Sequence, residues 1–81
     1  MRVPIVVPIL GSGEQPLRLS AWFVDLGDTL LAGDLVAEVL FPGVTFDVVS
    51  ESAGQLVEIV KLVDSTIHEG EILGWIDDES R

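Results

Sequence analysis

The chain reads as an all-β domain, on three observations. No segment carries apolar residues at helical spacing over about 11 positions between a cap and a stop. Short stretches with apolar residues at alternate positions are instead separated by clusters of Gly, Pro, Asp and Ser. Finally, a shift of 37 positions lays Thr29-Leu30-x-x-Gly33-Asp34-Leu35 over Thr66-Ile67-x-x-Gly70-Glu71-Ile72 and carries Val39 onto Ile76. Two copies are too few for a solenoid, so the repeat predicts two similar β units closing around one core with approximate two-fold symmetry.

The elements follow in order. Val3 to Val7 is a strand ended by Pro8, and Gly11-Ser12-Gly13-Glu14-Gln15-Pro16 is a loop. Leu17 to Val24 alternates, with Leu17, Leu19, Ala21 and Phe23 expected on one side and Arg18, Ser20 and Trp22 on the other. Asp25-Leu26-Gly27-Asp28 is a turn, Thr29-Leu30-Leu31 a short strand and Ala32-Gly33-Asp34 a second turn. After the central hairpin, Glu51 to Gly54 connects to a strand over Gln55 to Lys61. Its Val57 and Ile59 are expected in the core, with Leu56 and Val60 on a partly covered face. Val63-Asp64-Ser65 turns, Thr66-Ile67 is short, Glu69-Gly70-Glu71 turns again, and Ile72 to Ile76 is the last strand. Residues 1–76 are therefore expected to form one domain, and 77–81, Asp-Asp-Glu-Ser-Arg, a disordered charged tail.

The hairpin is the stretch Ala37 to Val49, centred on Pro42-Gly43. With those two as the turn, Phe41 faces Val44, Val39 faces Phe46 and Ala37 faces Val48 on the core side. Leu40/Thr45 and Glu38/Asp47 fall on the other side, where two facing carboxylates belong in water. Pro42 is locked near a φ of about −65°, which excludes the usual two-residue hairpin turns and leaves type I or type II. The tip is stiff and bears no reactive side chain.

Composition narrows the function classes. Eighty-one residues with 48% hydrophobic content allow one small core. There is no cysteine, hence no disulfide, thiolate nucleophile or Cys-based zinc site, and the composition fits a reducing cytoplasm. Fourteen acidic against four basic residues give a net charge of −10, the wrong sign for nucleic acid or an anionic membrane surface. Ile5 to Leu10, interrupted by Pro8, is too short for a membrane span of about 20 residues or for the core of a signal peptide.

From Val3 to Ile76 the chain resembles the lipoyl/biotinyl attachment domains, most of all the lipoyl domains of dihydrolipoyl acyltransferase components of 2-oxo acid dehydrogenase complexes. The residues that carry the resemblance are Pro8-x-Leu10-Gly11, Trp22, Gly27-Asp28, Gly33-Asp34, Ala37-Glu38-Val39, Thr45-Phe46, Ala53-Gly54 and Gly70. The resemblance implies a flattened β-barrel of two small antiparallel sheets, a barrel-sandwich hybrid with pseudo-two-fold symmetry. It also implies an attachment lysine at the hairpin tip, where the family reads Asp-Lys-Ala or Met-Lys-Met. This chain has Pro42-Gly43-Val44 there, with Leu40 and Phe41 in place of the acidic neighbours that partner enzymes read. An amide to lipoate or biotin needs a primary amine, and Gly43 has no side chain. Two function classes remain: an unmodified structural or protein-binding module that contacts its partner through Leu40, Phe41, Pro42, Gly43 and Val44, or a carrier or accessory domain of a dehydrogenase or carboxylase assembly, its modification lost or moved to Lys61, the only lysine.

Other candidate chemistry is sparse. His68 near Asp64 and Glu71 is too small a set for a metal. Gly11-Ser12-Gly13 lacks the surroundings of a nucleophile elbow or a phosphate loop. The carboxylate groups Asp25/Asp28, Asp34/Glu38 and Asp77/Asp78/Glu79 have no pocket-forming sequence beside them and read as solvated surface. No enzymatic activity is expected.

Overall fold

The computed structural model describes residues 1–78. Eight strands alternate with turns: β1 (Arg2–Val6), β2 (Leu17–Trp22), β3 (Thr29–Leu30), β4 (Leu35–Phe41), β5 (Val44–Val49), β6 (Gly54–Ile59), β7 (Thr66–Ile67) and β8 (Ile72–Asp77). They form two four-stranded antiparallel sheets, ordered β1-β8-β6-β3 and β5-β4-β2-β7. The two orders are the same list under the 37-residue shift, with β4 taken onto β8, β2 onto β6 and β3 onto β7, and β1 standing opposite β5. Neither sheet uses residues from one half alone, so neither half can bury its apolar face without the other.

The symmetry reaches single residues. Four pairs related by the shift fill the middle of the core, all at 0–1% exposure: Leu19 and Leu56, Leu30 and Ile67, Val36 and Leu73, Val39 and Ile76. The backbone repeats as closely. Phe23 N–H donates to the Val36 carbonyl as Val60 N–H does to Leu73, and Gly27 N–H donates to Leu56 as Asp64 N–H does to Leu19. Asp64 even keeps the positive φ of its counterpart, 73° against 91° at Gly27.

The hairpin pairs as expected: Phe41 with Val44, Leu40 with Thr45, Val39 with Phe46, Glu38 with Asp47 and Ala37 with Val48. The turn is type II in character, since Gly43 has a φ of 79°. Two expectations about faces need correction. In β2 the register slips between Leu19 and Ala21, so Ser20 is an extra residue. A bulge of this kind turns the following side chains over. Trp22 therefore packs against the core while Phe23 is 50% exposed, the reverse of simple alternation. In β6 the extra residue is Val57, again 37 positions on, and Leu56 rather than Val57 is fully buried. Phe46 keeps its expected place on the core side opposite Val39 but, on the edge strand β5, is only half-buried.

The last strand continues through Asp77, which pairs with Arg2, and the Asp78 N–H donates to the Met1 carbonyl at 2.8 Å. Of the expected tail, Asp77 is thus part of the sheet and Asp78 is bonded to Met1, the residue before β1; 79–81 lie outside the described residues.

Candidate functional site

The hairpin tip is the first place to look. Phe41 is half-buried and packs against the core, Leu40 is half-buried on the outer face of its sheet, and Pro42, Gly43 and Val44 are exposed. A Cβ added at Gly43 would meet nothing within 4 Å, so the position opens to solvent. The five residues proposed from sequence are thus contiguous at one tip, with Phe41 serving as its anchor and the others as its surface.

Beside the tip runs a groove of about 250 Å³ lined by Pro16, Leu17, Arg18, Leu40, Pro42 and Thr66. It crosses three strands, because Arg18 pairs with Leu40 on one side and Thr66 on the other. The loop leading into it is fastened from below. The Glu69 carboxylate accepts the backbone N–H of Leu10 and, at 3.3 Å, that of Ser12. These donors, Leu10 first, hold the Glu69 carboxyl below the ordinary glutamate range. The groove escapes sequence inspection because its walls come from β2, β4 and β7. One signal was available: the shift lays Pro16-Leu17-Arg18 on Ala53-Gly54-Gln55, and those three line a larger groove of about 540 Å³ with Thr29, Leu30 and Asp78.

Lys61 sits elsewhere, beyond the end of β6. Its ammonium is 3.2 Å from the Glu71 carboxylate, its side chain is 33% exposed, and its own carbonyl accepts the indole N–H of Trp22 at 2.8 Å. The second Glu71 oxygen receives the His68 backbone N–H at 2.6 Å and faces His68 Nδ1 at 3.1 Å. His68, and after it Lys61, holds the Glu71 carboxyl below the ordinary range. His68, Lys61 and Glu71 thus form one polar cluster on the barrel wall. Among the described residues no group of three or more His, Cys, Asp or Glu is arranged to hold a metal ion.

The paired carboxylates serve turns. Asp28 accepts the Asp25 N–H and Asp34 the Leu31 N–H, each at 2.8 Å, which are the local side-chain bonds that fix such turns. Asp77 and Asp78 lie 3.4 and 3.8 Å from the N-terminal ammonium.

Comparison with known proteins agrees with this geometry. The family model Biotin_lipoyl, described as "Biotin-requiring enzyme", matches residues 3–76. The dihydrolipoyllysine-residue succinyltransferase component of the 2-oxoglutarate dehydrogenase complex of Rickettsia conorii is 30% identical over 78 residues, which is 96% of this chain and 20% of that protein. The corresponding component of Haemophilus influenzae is 29% identical over 76 residues, covering 94% and 19%. The chain thus spans about one fifth of the length of these relatives. Among solved structures, the lipoyl domain of the 2-oxoglutarate dehydrogenase complex from Azotobacter vinelandii has the same fold, with a TM-score of 0.74, 22% identity and coverage of 94% of this chain and 99% of that one. With the family match running almost end to end over a two-sheet barrel of the same shape, the chain belongs to the biotin/lipoyl attachment-domain family.

Proposed function

We propose that this chain is an unmodified, non-catalytic member of that family, a cytoplasmic protein-interaction module of a multienzyme assembly that meets its partner through the tip Leu40 to Val44. The observation that carries the reading is Pro42-Gly43 at the turn: the tip offers no amine, and the only lysine is engaged with Glu71 on the barrel wall. Lipoate or biotin attachment needs a free amine on a mobile stem presented clear of the fold, and Lys61 is held at both its ammonium and its carbonyl.

Intact mass after co-expression with a lipoate ligase and lipoate, and separately with a biotin ligase and biotin, tests this. The expected result is the unmodified mass in both. A lipoyl or biotinyl increment on Lys61 would overturn the reading in favour of a carrier domain. The placement of Gly43 at the family's attachment position has its own test. Gly43→Lys should fold, at a cost of about 1 kcal/mol for a side chain at positive φ, because the site is open. Alone it should be poorly lipoylated, and Pro42→Asp with Leu40→Glu should improve modification. A native-like triple variant that the ligase never modifies would move the attachment position elsewhere.

A further inference from the structure

The chain carries fourteen acidic residues, and nearly every cation in the described part is placed against one of them. The N-terminal ammonium lies by Asp77 and Asp78, Arg2 by Glu58 at 3.0 Å, and Lys61 by Glu71. Among the described residues Arg18 alone has no carboxylate within ion-pair distance. It is exposed on the outer face of its sheet, in a row that runs Thr45, Leu40, Arg18, Thr66 across all four strands. That row contains no acid; Glu38 and Asp47 stand in the next one. The unpaired guanidinium is also a wall of the groove beside the tip, whose other walls are mostly apolar: Pro16, Leu17, Leu40 and Pro42.

A guanidinium presents a planar fork of donors matched to a carboxylate, and here the fork is uncommitted inside an otherwise negative surface. The field of the whole molecule repels acidic ligands in general, so an acid can settle only where a local donor and apolar contact outweigh it. We propose that the tip groove receives an extended apolar segment of a partner protein with one carboxylate side chain, which pairs with Arg18 while its flanking aliphatic residues lie on Leu40, Pro42 and Pro16. The proposal rests on the tip being an interaction surface and adds the chemistry of the partner.

The test is a titration of the full chain, labelled with nitrogen-15, with two capped peptides, Ser-Leu-Val-Glu-Leu-Val-Ser and its Gln counterpart. The expected result is movement of the Leu17, Arg18, Leu40 and Thr66 amide resonances, with the Glu peptide bound about two- to fivefold more tightly, the scale of one solvent-exposed charge pair. Arg18→Gln should erase the preference, Arg18→Lys keep part of it, and Leu40→Ser weaken both peptides alike. Circular dichroism verifies that each variant folds. Equal binding of the two peptides at the tip would overturn the carboxylate pairing and leave the interaction surface standing. A preference that survives Arg18→Gln, or shifts confined to residues away from the tip, would overturn the proposal outright, whereas modification of Lys61 would instead overturn the reading on which it rests.

Discussion

At the scale of single residues, two glycines that look alike in the sequence differ in what they do. A Cβ at Gly54 would lie 2.3 Å from the Asp77 carbonyl oxygen, with φ at 156°, whereas one at Gly43 would meet nothing. Gly54→Ala is therefore expected to cost about 3 kcal/mol, since the backbone of β8 must move, and Gly43→Ala about 1 kcal/mol. Urea denaturation of the two variants measures the difference, and equal losses would contradict the close approach of β6 and β8. The need at Gly54 comes from a carbonyl far away in the chain, so nothing local in the sequence announced it. Glu69 is a second case. Its carboxyl is held low by the Leu10 and Ser12 amides, so its contribution to stability is present above the unfolded-state pKa and is lost as pH falls through the lower folded one. Wild type should melt above Glu69→Gln at neutral pH, with the gap closing on acidification below the ordinary glutamate range. A gap independent of pH would mean that the charge does not hold the loop.

At the scale of elements, what was legible and what was not divides along one line. The hairpin register followed from sequence because its turn is two residues long and lies between the strands it joins, so position fixes pairing. The bulges at Ser20 and Val57 did not, because an extra residue in one strand exists only relative to a partner strand distant in the chain. They invert the faces of Trp22, Phe23 and Leu56. Leu56, at 0% exposure, is accordingly the residue whose truncation should hurt: Leu56→Ala is expected to cost about 2–5 kcal/mol, against about 1–2 kcal/mol for half-buried Phe46→Ala. Thermal melts that place Phe46→Ala below Leu56→Ala would reject this order. The edges show the same economy of position. Pro4 in β1 and Asp47 in β5 stand opposite Trp75 and Glu38, which the shift relates, so each long edge strand carries at its middle a residue that discourages a further strand.

At the scale of the whole molecule, the barrel and its symmetry could be read from turn spacing and from the resemblance. The groove and the unpaired Arg18 could not, since both depend on which strands become neighbours. The symmetry also bears on the chain's two ends. The shift carries Phe41 onto Asp78, and the pair Phe41–Val44 that closes the hairpin has its counterpart in Asp78 and Met1. One closure spans a two-residue turn; the other joins Met1 and Asp78, 77 positions apart. By loop-closure entropy the second costs about 3 kcal/mol more, so the β4–β5 hairpin should form early and the β1–β8 pair late. Circular permutation exchanges them: a short linker from Asp78 to Met1, with new ends between Pro42 and Gly43, makes β8–β1 the hairpin and β4–β5 the long closure. Because the topology is otherwise preserved, stopped-flow tryptophan fluorescence should find the permutant folding within about threefold of the parent. The sensitive position should migrate, with Val39→Ala slowing the parent and Ile76→Ala slowing the permutant. If Val39→Ala slowed both, the order of folding would belong to the sheet itself and not to where the chain is cut.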